Sequence, residues 1–200
     1  INNREIKDGK EVYYNSFSIY DYQLKLITYY NKLRLVPFGE FLPLENILKK
    51  IGLKSLTNNY QSYSQGKKRE VLKININTSI KFIPLICYEI IYSGSISETN
   101  EFDFVLNISE DGWFGKSIGP KQHFAHSIFR AIETGKYIIR SANNGITAIV
   151  NPLGIVEKKL DDGENGYIDF EQRRIIESTI FSLYGNKIFG IFILLYIFLI

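Results

Sequence analysis

The sequence predicts an α/β layered fold with mixed sheets. Three observations carry that reading. Short apolar runs with strand character outnumber segments with helical spacing. Helical segments nevertheless separate several of those runs. Two of them, KFIPLI at 81–86 and FDFVLNI at 102–108, are compact and apolar, as buried strands are.

In chain order, Val12, Tyr14 and Phe17 to Tyr20 fit a strand pair turning around Asn15-Ser16, and Leu24 to Tyr30 fits another strand. Residues 30–43 then carry two prolines and a glycine among apolar residues, which rules out a continuing helix or a central strand. A loop this apolar must pack on something, and one that also holds Lys32 and Glu40 is a candidate site element. Leu44 to Ile51 fits a short helix stopped by Gly52, and Thr57 to Lys68 a surface loop. Val71–Ile76 and Ile80–Ile86 read as paired strands across Asn77-Thr78, and Ile90 to Asn100 as a short helix and loop. The run 102–108 leads into Ser109–Gly115, a polar and aromatic loop holding the sole tryptophan, Trp113.

Pro120 opens a helix that Gly135 closes, with Phe124, Ile128 and Ile132 on one face, joined by Ala125, Phe129 and Ala131. His123 and His126 lie three apart on it, a spacing a metal could use. With no third ligand near in sequence, hydrogen-bonded or surface histidines account for them better. Tyr137–Arg140 and Ile146–Val150 flank an Asn-Gly hairpin signal, a turn follows at Asn151–Gly154, and strands follow at Ile155–Lys159 and Gly163–Phe170.

Composition bounds the function classes. The chain has 200 residues, 45% of them hydrophobic, which suits one globular core and is too apolar for disorder. The net charge of +3 is small, and the cluster Lys67, Lys68, Arg69 reads as a solvated loop with no nucleic-acid partner implied. One cysteine excludes an internal disulfide and a Cys-based zinc site. No glycine-rich phosphate loop or Ser-His-Asp arrangement stands out. The chain starts at Ile1, holds no methionine and ends in the apolar run IFGIFILLYIFLI. These features lead us to expect a partial chain whose last residues, 185–200, begin a transmembrane helix, since a span needs about 20 apolar residues.

Cys87 ends the apolar run 81–86 and is followed by Tyr88 and Glu89. A thiol at a strand end beside a carboxylate can act as a nucleophile when neighbours stabilise its thiolate. Taken alone, it reads better as a small buried hydrophobe. The surrounding motifs favour the nucleophile. They are Tyr30-Asn31-Lys32, Leu35-Val36-Pro37-Phe38-Gly39-Glu40-Phe41-Leu42-Pro43, Cys87-Tyr88-Glu89, Asn107-Ile108-Ser109 with Asp111, and Trp113-Phe114-Gly115. Gly119-Pro120 with Gln122-His123, Arg130-Ala131 with Glu133-Thr134-Gly135, and Arg140 with Ala142-Asn143 and Gly145 complete them.

Taken together, these blocks resemble the carbon-nitrogen hydrolase (nitrilase) superfamily from about Tyr13 to Tyr184, and more closely its membrane-bound branch of apolipoprotein N-acyltransferases. The resemblance implies a nitrilase-like α-β-β-α sandwich, present in part, with residues 1–184 as the C-terminal part of a catalytic domain. It implies a Glu-Lys-Cys triad with Cys87 as nucleophile and Lys32 as the catalytic lysine. Glu40 and Glu89 match further acidic site residues, and Tyr88 the residue beside the nucleophile. The triad's general-base glutamate lies well upstream of the lysine in the family. Only 31 residues precede Lys32, and Glu5 and Glu11 sit in the wrong context. The base is therefore expected to be absent from these 200 residues, leaving them inactive alone. Glu110 and Asn144 depart from the family's usual Asn or Asp and Thr.

The implied activity moves an acyl chain from a phospholipid, through a Cys87 thioester, to the N-terminal diacylglyceryl-cysteine of an apolipoprotein. It needs no cofactor and places the protein in the bacterial inner membrane, with the catalytic domain on the periplasmic side. Two rivals stand beside it: a soluble nitrilase-type amidase, and a non-catalytic fragment of the acyltransferase.

Overall fold

The computed structural model describes residues 2–44, 62–75, 78–94, 96, 99, 101–171 and 176–199, which form two compact units, Ile1–Glu70 and Val71–Ile200.

The first unit is a three-stranded antiparallel sheet of β1 (Asn2–Lys7), β2 (Lys10–Tyr20) and β3 (Leu26–Asn31), in that order. The strand pair expected around Asn15-Ser16 is one continuous strand. The reversal lies earlier, at Asp8-Gly9, where both residues have positive φ. Asn15 and Ser16 remain in the strand because their side chains are bonded inward: Asn15 Nδ2 to Glu40 Oε1 and Ser16 Oγ to Asn31 Oδ1, each at 2.6 Å. Residues 32–44 run as irregular chain with one isolated bridge between Pro37 and Phe41, as the prolines require. The helix expected over 44–51, and most of the loop expected over 57–68, lie outside the described residues.

The second unit is built on a six-stranded mixed sheet, β4 (Leu72–Asn75), β5 (Ser79–Ile86), β6 (Phe104–Glu110), β7 (Tyr137–Asn143), β8 (Thr147–Val150) and β9 (Val156–Leu160), paired in sequence order. The β4–β5, β7–β8 and β8–β9 pairs are antiparallel, while β5, β6 and β7 run parallel. The parallel strands hold the core: Ile83, Leu85, Val105 and Ile138 are fully buried. Pro84 is tolerated in β5 because the β4 pairing ends at Phe82, so no ladder is broken on that side. The return strand expected over Gly163–Phe170 does not form. Phe170 instead sets its ring edge-on against Phe104 and Tyr137, centroids 5.4 and 5.2 Å away.

Helix α1 (Gly119–Thr134) joins β6 to β7, with Pro120 in its first turn and Gly135 ending it at φ +67°. Its inward face differs from the expected one. Pro120, His123, Phe124, Ser127, Arg130, Ala131 and Thr134 are buried, while Phe129 and Ile132 are exposed. The helix lies over a polar cluster, so polar side chains take the inner stripe.

A short helix, α2 (Ile180–Tyr184), is capped by Thr179, whose Oγ1 accepts from Ser182 N at 3.0 Å. It leads to α3 (Lys187–Leu199), where Ile191 to Leu199 are all more than two-fifths exposed. At 13 residues α3 rises about 20 Å, against a hydrocarbon core of about 30 Å. Among the described residues no helix is long and apolar enough to cross a membrane.

Candidate active site

In the first unit the candidate residues are Lys32 and Glu40. Lys32 follows β3 directly and is 1% exposed. Its backbone is held at both ends: its N–H donates to Asn15 O, and its carbonyl accepts from Gly66 N–H, each at 2.8 Å. The approach at Gly66 is so close that a Cβ there would stand 2.1 Å from Asn31 O, so only glycine fits. Lys32 Nζ donates to Glu40 Oε1 at 2.8 Å. The same carboxylate accepts from Asn15 Nδ2 at 2.6 Å and, through Oε2, from Val36 N–H at 2.8 Å. A buried ammonium is costly unless paired and hydrogen-bonded, and Glu40 supplies both. Glu5 and Glu11 take part in ion pairs on the β1–β2 hairpin, with Lys7 and Arg4.

In the second unit Cys87 stands immediately after β5, at the carboxyl end of the parallel strands, where α/β sheets bind ligands. It is partly exposed and has φ +50°. A left-handed backbone costs a non-glycine residue about 1–2 kcal/mol, and such strain collects at functional sites. Cys87 opens a single 3₁₀ turn, Cys87–Ile91. Tyr88 lies next on it, its ring edge-on to Tyr92 at 5.4 Å. Glu89 is fully buried and accepts from Ile86 N–H at 2.9 Å, so its carboxylate braces the entry to the turn.

Helix α1 grips this turn at both ends. His123 Nε2 lies 3.3 Å from Cys87 O. Arg130 Nη1 donates to Ile91 O at 3.0 Å and Nη2 pairs with Glu133 at 2.7 Å. Glu133 in turn accepts from Ser93 Oγ and Gly94 N–H.

Behind the turn lies a buried ionic cluster. Asp111 Oδ1 meets His123 Nδ1 at 2.9 Å and accepts from Ser109 Oγ at 2.6 Å. Asp111 Oδ2 accepts from Arg140 Nη2 at 2.6 Å. Arg140 also donates to Asn107 Oδ1 and to Ile146 O, and Asn107 Nδ2 bonds Leu85 O at 3.2 Å. Burial would raise the Asp111 pKa, but the His123 hydrogen bond, the Arg140 charge and the Ser109 bond overcome it and hold the pKa below the usual value. Burial lowers the Arg140 pKa, against the raising pull of Asp111 and of Cys87. Gly145 makes room for the cluster, since a Cβ there would sit 2.4 Å from Asp111 Oδ2.

The two departures from family usage prove to be partners. Asn144 Nδ2 donates to Glu110 Oε1 at 3.2 Å, and the same carboxylate accepts from Asn143 Nδ2 and Gly112 N–H. Trp113 in the adjoining turn is 78% exposed. His123 is a buried, hydrogen-bonded histidine, and burial lowers the His126 pKa with help from Arg130 and His123. Among the described residues no group of three or more His, Cys, Asp or Glu side chains could hold a metal ion.

Of the residues singled out from sequence, the structure brings Lys32 and Glu40 together in one unit and keeps Cys87, Tyr88 and Glu89 on one turn in the other. Asn15 was not singled out, and Asn107, Asp111, His123 and Arg140 entered only as members of motif blocks, with no role assigned beyond the metal-ligand reading weighed for His123. Several of their partners lie 12 to 36 positions away along the chain, so local spacing does not show the cluster. The available signal is a polar residue within or just after an apolar strand.

The family model for carbon-nitrogen hydrolases matches residues 1–174. A Rickettsia prowazekii protein named apolipoprotein N-acyltransferase is 42% identical over 186 residues, 92% of this chain and 36% of that protein. A Bradyrhizobium diazoefficiens protein of the same name is 38% identical over 174 residues, 86% of this chain and 32% of its own length. The chain thus spans about a third of the length of these curated relatives. Among solved structures it is similar to XC1258 from Xanthomonas campestris, a CN-hydrolase superfamily protein, with TM-score 0.54 and 16% identity over 82% of this chain and 58% of that one. It is also similar to Saccharomyces cerevisiae Nit3, of the nitrilase superfamily, with TM-score 0.53 and 19% identity over 82% and 55% of the two chains. At these identities the likeness speaks to the fold, which is nitrilase-like.

Proposed function

The chain belongs to the carbon-nitrogen hydrolase family, and from that premise we propose that it is part of an apolipoprotein N-acyltransferase with Cys87 as its acyl-carrying nucleophile. The observation that carries the proposal is Cys87 itself: a partly exposed thiol at a strand end, in a strained backbone. The likeness to relatives bearing that name supplies the substrate class.

The chemistry is two acyl transfers. The Cys87 thiolate attacks the ester carbonyl carbon of a phospholipid; a C–S bond forms, the C–O bond breaks, and the lysophospholipid alkoxide leaves and takes up a proton. The α-amine of a diacylglyceryl-cysteine then attacks the thioester; a C–N bond forms, the C–S bond breaks, and the thiolate returns. The proton lost by the amine balances the one gained by the alkoxide. A thioester suits this task because it is reactive towards amines. By likeness to the family, Lys32, which donates to Glu40, is proposed as the catalytic lysine, and Glu89 fixes the nucleophile's turn. The proton carrier is proposed to be a glutamate that residues 1–200 do not supply, and these residues by themselves are proposed not to turn over. Residues 1–184 are proposed as catalytic, within an α-β-β-α sandwich. The exposed apolar helix α3 and Trp113 are proposed to meet the bilayer, on the periplasmic face of the bacterial inner membrane.

The test is incubation of the intact protein with phosphatidylethanolamine vesicles and a synthetic diacylglyceryl-cysteine peptide. N-acylated peptide and lysophospholipid are expected. Ammonia release from small amides, with no acyl transfer, would favour the amidase alternative.

A further inference from the structure

We propose that His123 is a positioning residue: by holding the Cys87 carbonyl it fixes the Cys87–Tyr88 peptide so that the Tyr88 N–H faces the acyl oxygen during attack. This rests on Cys87 being the nucleophile. The carbonyl of Cys87 and the N–H of Tyr88 belong to one rigid trans peptide and point in opposite directions. Whatever holds the carbonyl therefore aims the N–H. His123 Nε2 is 3.3 Å from that carbonyl oxygen, which can only accept, so Nε2 is the donor. The ring itself cannot swing. It is 4% exposed, its Nδ1 lies 2.9 Å from Asp111 Oδ1 and 3.2 Å from Arg140 Nη2, and Phe114 packs against it with centroids 5.5 Å apart.

The backbone at Cys87 needs such a hold. With φ +50° the residue sits in a region that L side chains rarely adopt, and strained conformations persist only where surroundings impose them. The N–H of the residue after a strand-end nucleophile is a recurrent oxyanion donor in acyl transfer. When sulfur attacks the carbonyl carbon, the C=O π pair moves onto oxygen, and a pre-aimed N–H stabilises that charge without reorganisation. The Asp111–Arg140 pair serves the same end one step removed, by anchoring the imidazole.

The experiment compares two reactions of Cys87 in the intact protein carrying His123→Ala or His123→Gln. One is thioester formation from phosphatidylethanolamine vesicles at saturating lipid, read by mass spectrometry. The other is alkylation by iodoacetamide, a displacement at an sp³ carbon that builds no oxyanion. His123→Ala should slow thioester formation on the order of 10²-fold, the effect of losing one oxyanion donor, while alkylation stays at the wild-type rate. His123→Gln, whose side-chain amide can still donate to the carbonyl, should recover most of the loss. Thioester formation at the wild-type rate in His123→Ala overturns the proposal. So does an equal fall of both reactions in the two variants, which would mark a structural role alone. A Cys87→Ala protein that still transfers acyl groups overturns the nucleophile reading itself, whatever His123 does.

Discussion

Lys32 donates to Glu40 across 2.8 Å from a position that is 1% exposed, so the lysine's charge is fixed in place by one carboxylate. That carboxylate is itself held by Asn15 and Val36. Lys32→Met should abolish thioester formation in the intact protein. The stability loss should be modest, about 1–3 kcal/mol, because Glu40 keeps two donors and some solvent contact. Retained thioester at a wild-type rate would remove Lys32 from the chemistry.

The left-handed φ of Cys87 makes a stability prediction independent of activity. Alanine keeps the strain and glycine relieves it, at a cost in unfolded-state entropy that offsets part of the gain. Cys87→Gly should be more stable than Cys87→Ala by up to about 1 kcal/mol in urea unfolding. A glycine variant less stable than the alanine variant would contradict the strained turn.

Asp111 gives the pH dependence. Its folded pKa lies below the usual aspartate value of about 3.8, so its contribution to stability is complete above 3.8 and is lost as pH falls through the lower folded value. The stability gap between wild type and Asp111→Asn should therefore be constant above about pH 5 and narrow as pH falls below 3.8. A gap that widens on acidification would reverse the assigned direction.

Glu110 and Asn144 should show coupling. A double-mutant cycle with Glu110→Asn and Asn144→Thr, read by chemical denaturation, should return about 0.5–1 kcal/mol of favourable interaction between the native pair. Additive losses would mean that the bond contributes nothing in solution.

Trp113 reports on the membrane. It is the sole tryptophan and is 78% exposed, so emission reads this one site. Its emission should shift to shorter wavelength when phospholipid vesicles are added. An unchanged spectrum at saturating lipid would separate this turn from the bilayer.

The parts of the fold that were legible in sequence were those fixed by local chemistry. Pro120 and Gly135 bracket α1 because one needs no N–H and the other accepts a left-handed backbone. The runs ending at Ile86 and Ile108 announce buried strands by being apolar on both faces, and the structure pairs them in parallel. Misreadings came where tertiary bonds overrode local preference. Asn15-Ser16 looks like a turn, yet Glu40 and Asn31 supply the hydrogen bonds that keep it extended. Phe129 and Ile132 look like core residues, yet α1 turns His123 and Arg130 inward to meet Asp111 and Ile91. The site divides the same way. Cys87, Lys32 and Glu40 stood out within short motifs, while the Asp111–His123–Arg140 cluster is assembled from the turn after one strand, the middle of another and the face of a helix.

The central claim is that Cys87 carries the acyl chain. The most direct measurement is peptide mass spectrometry of the intact protein after exposure to phosphatidylethanolamine vesicles. The account predicts an acyl mass on the peptide containing Cys87, removed by hydroxylamine and absent from Cys87→Ala. Acyl transfer with no adduct on that peptide, or transfer surviving Cys87→Ala, would contradict it.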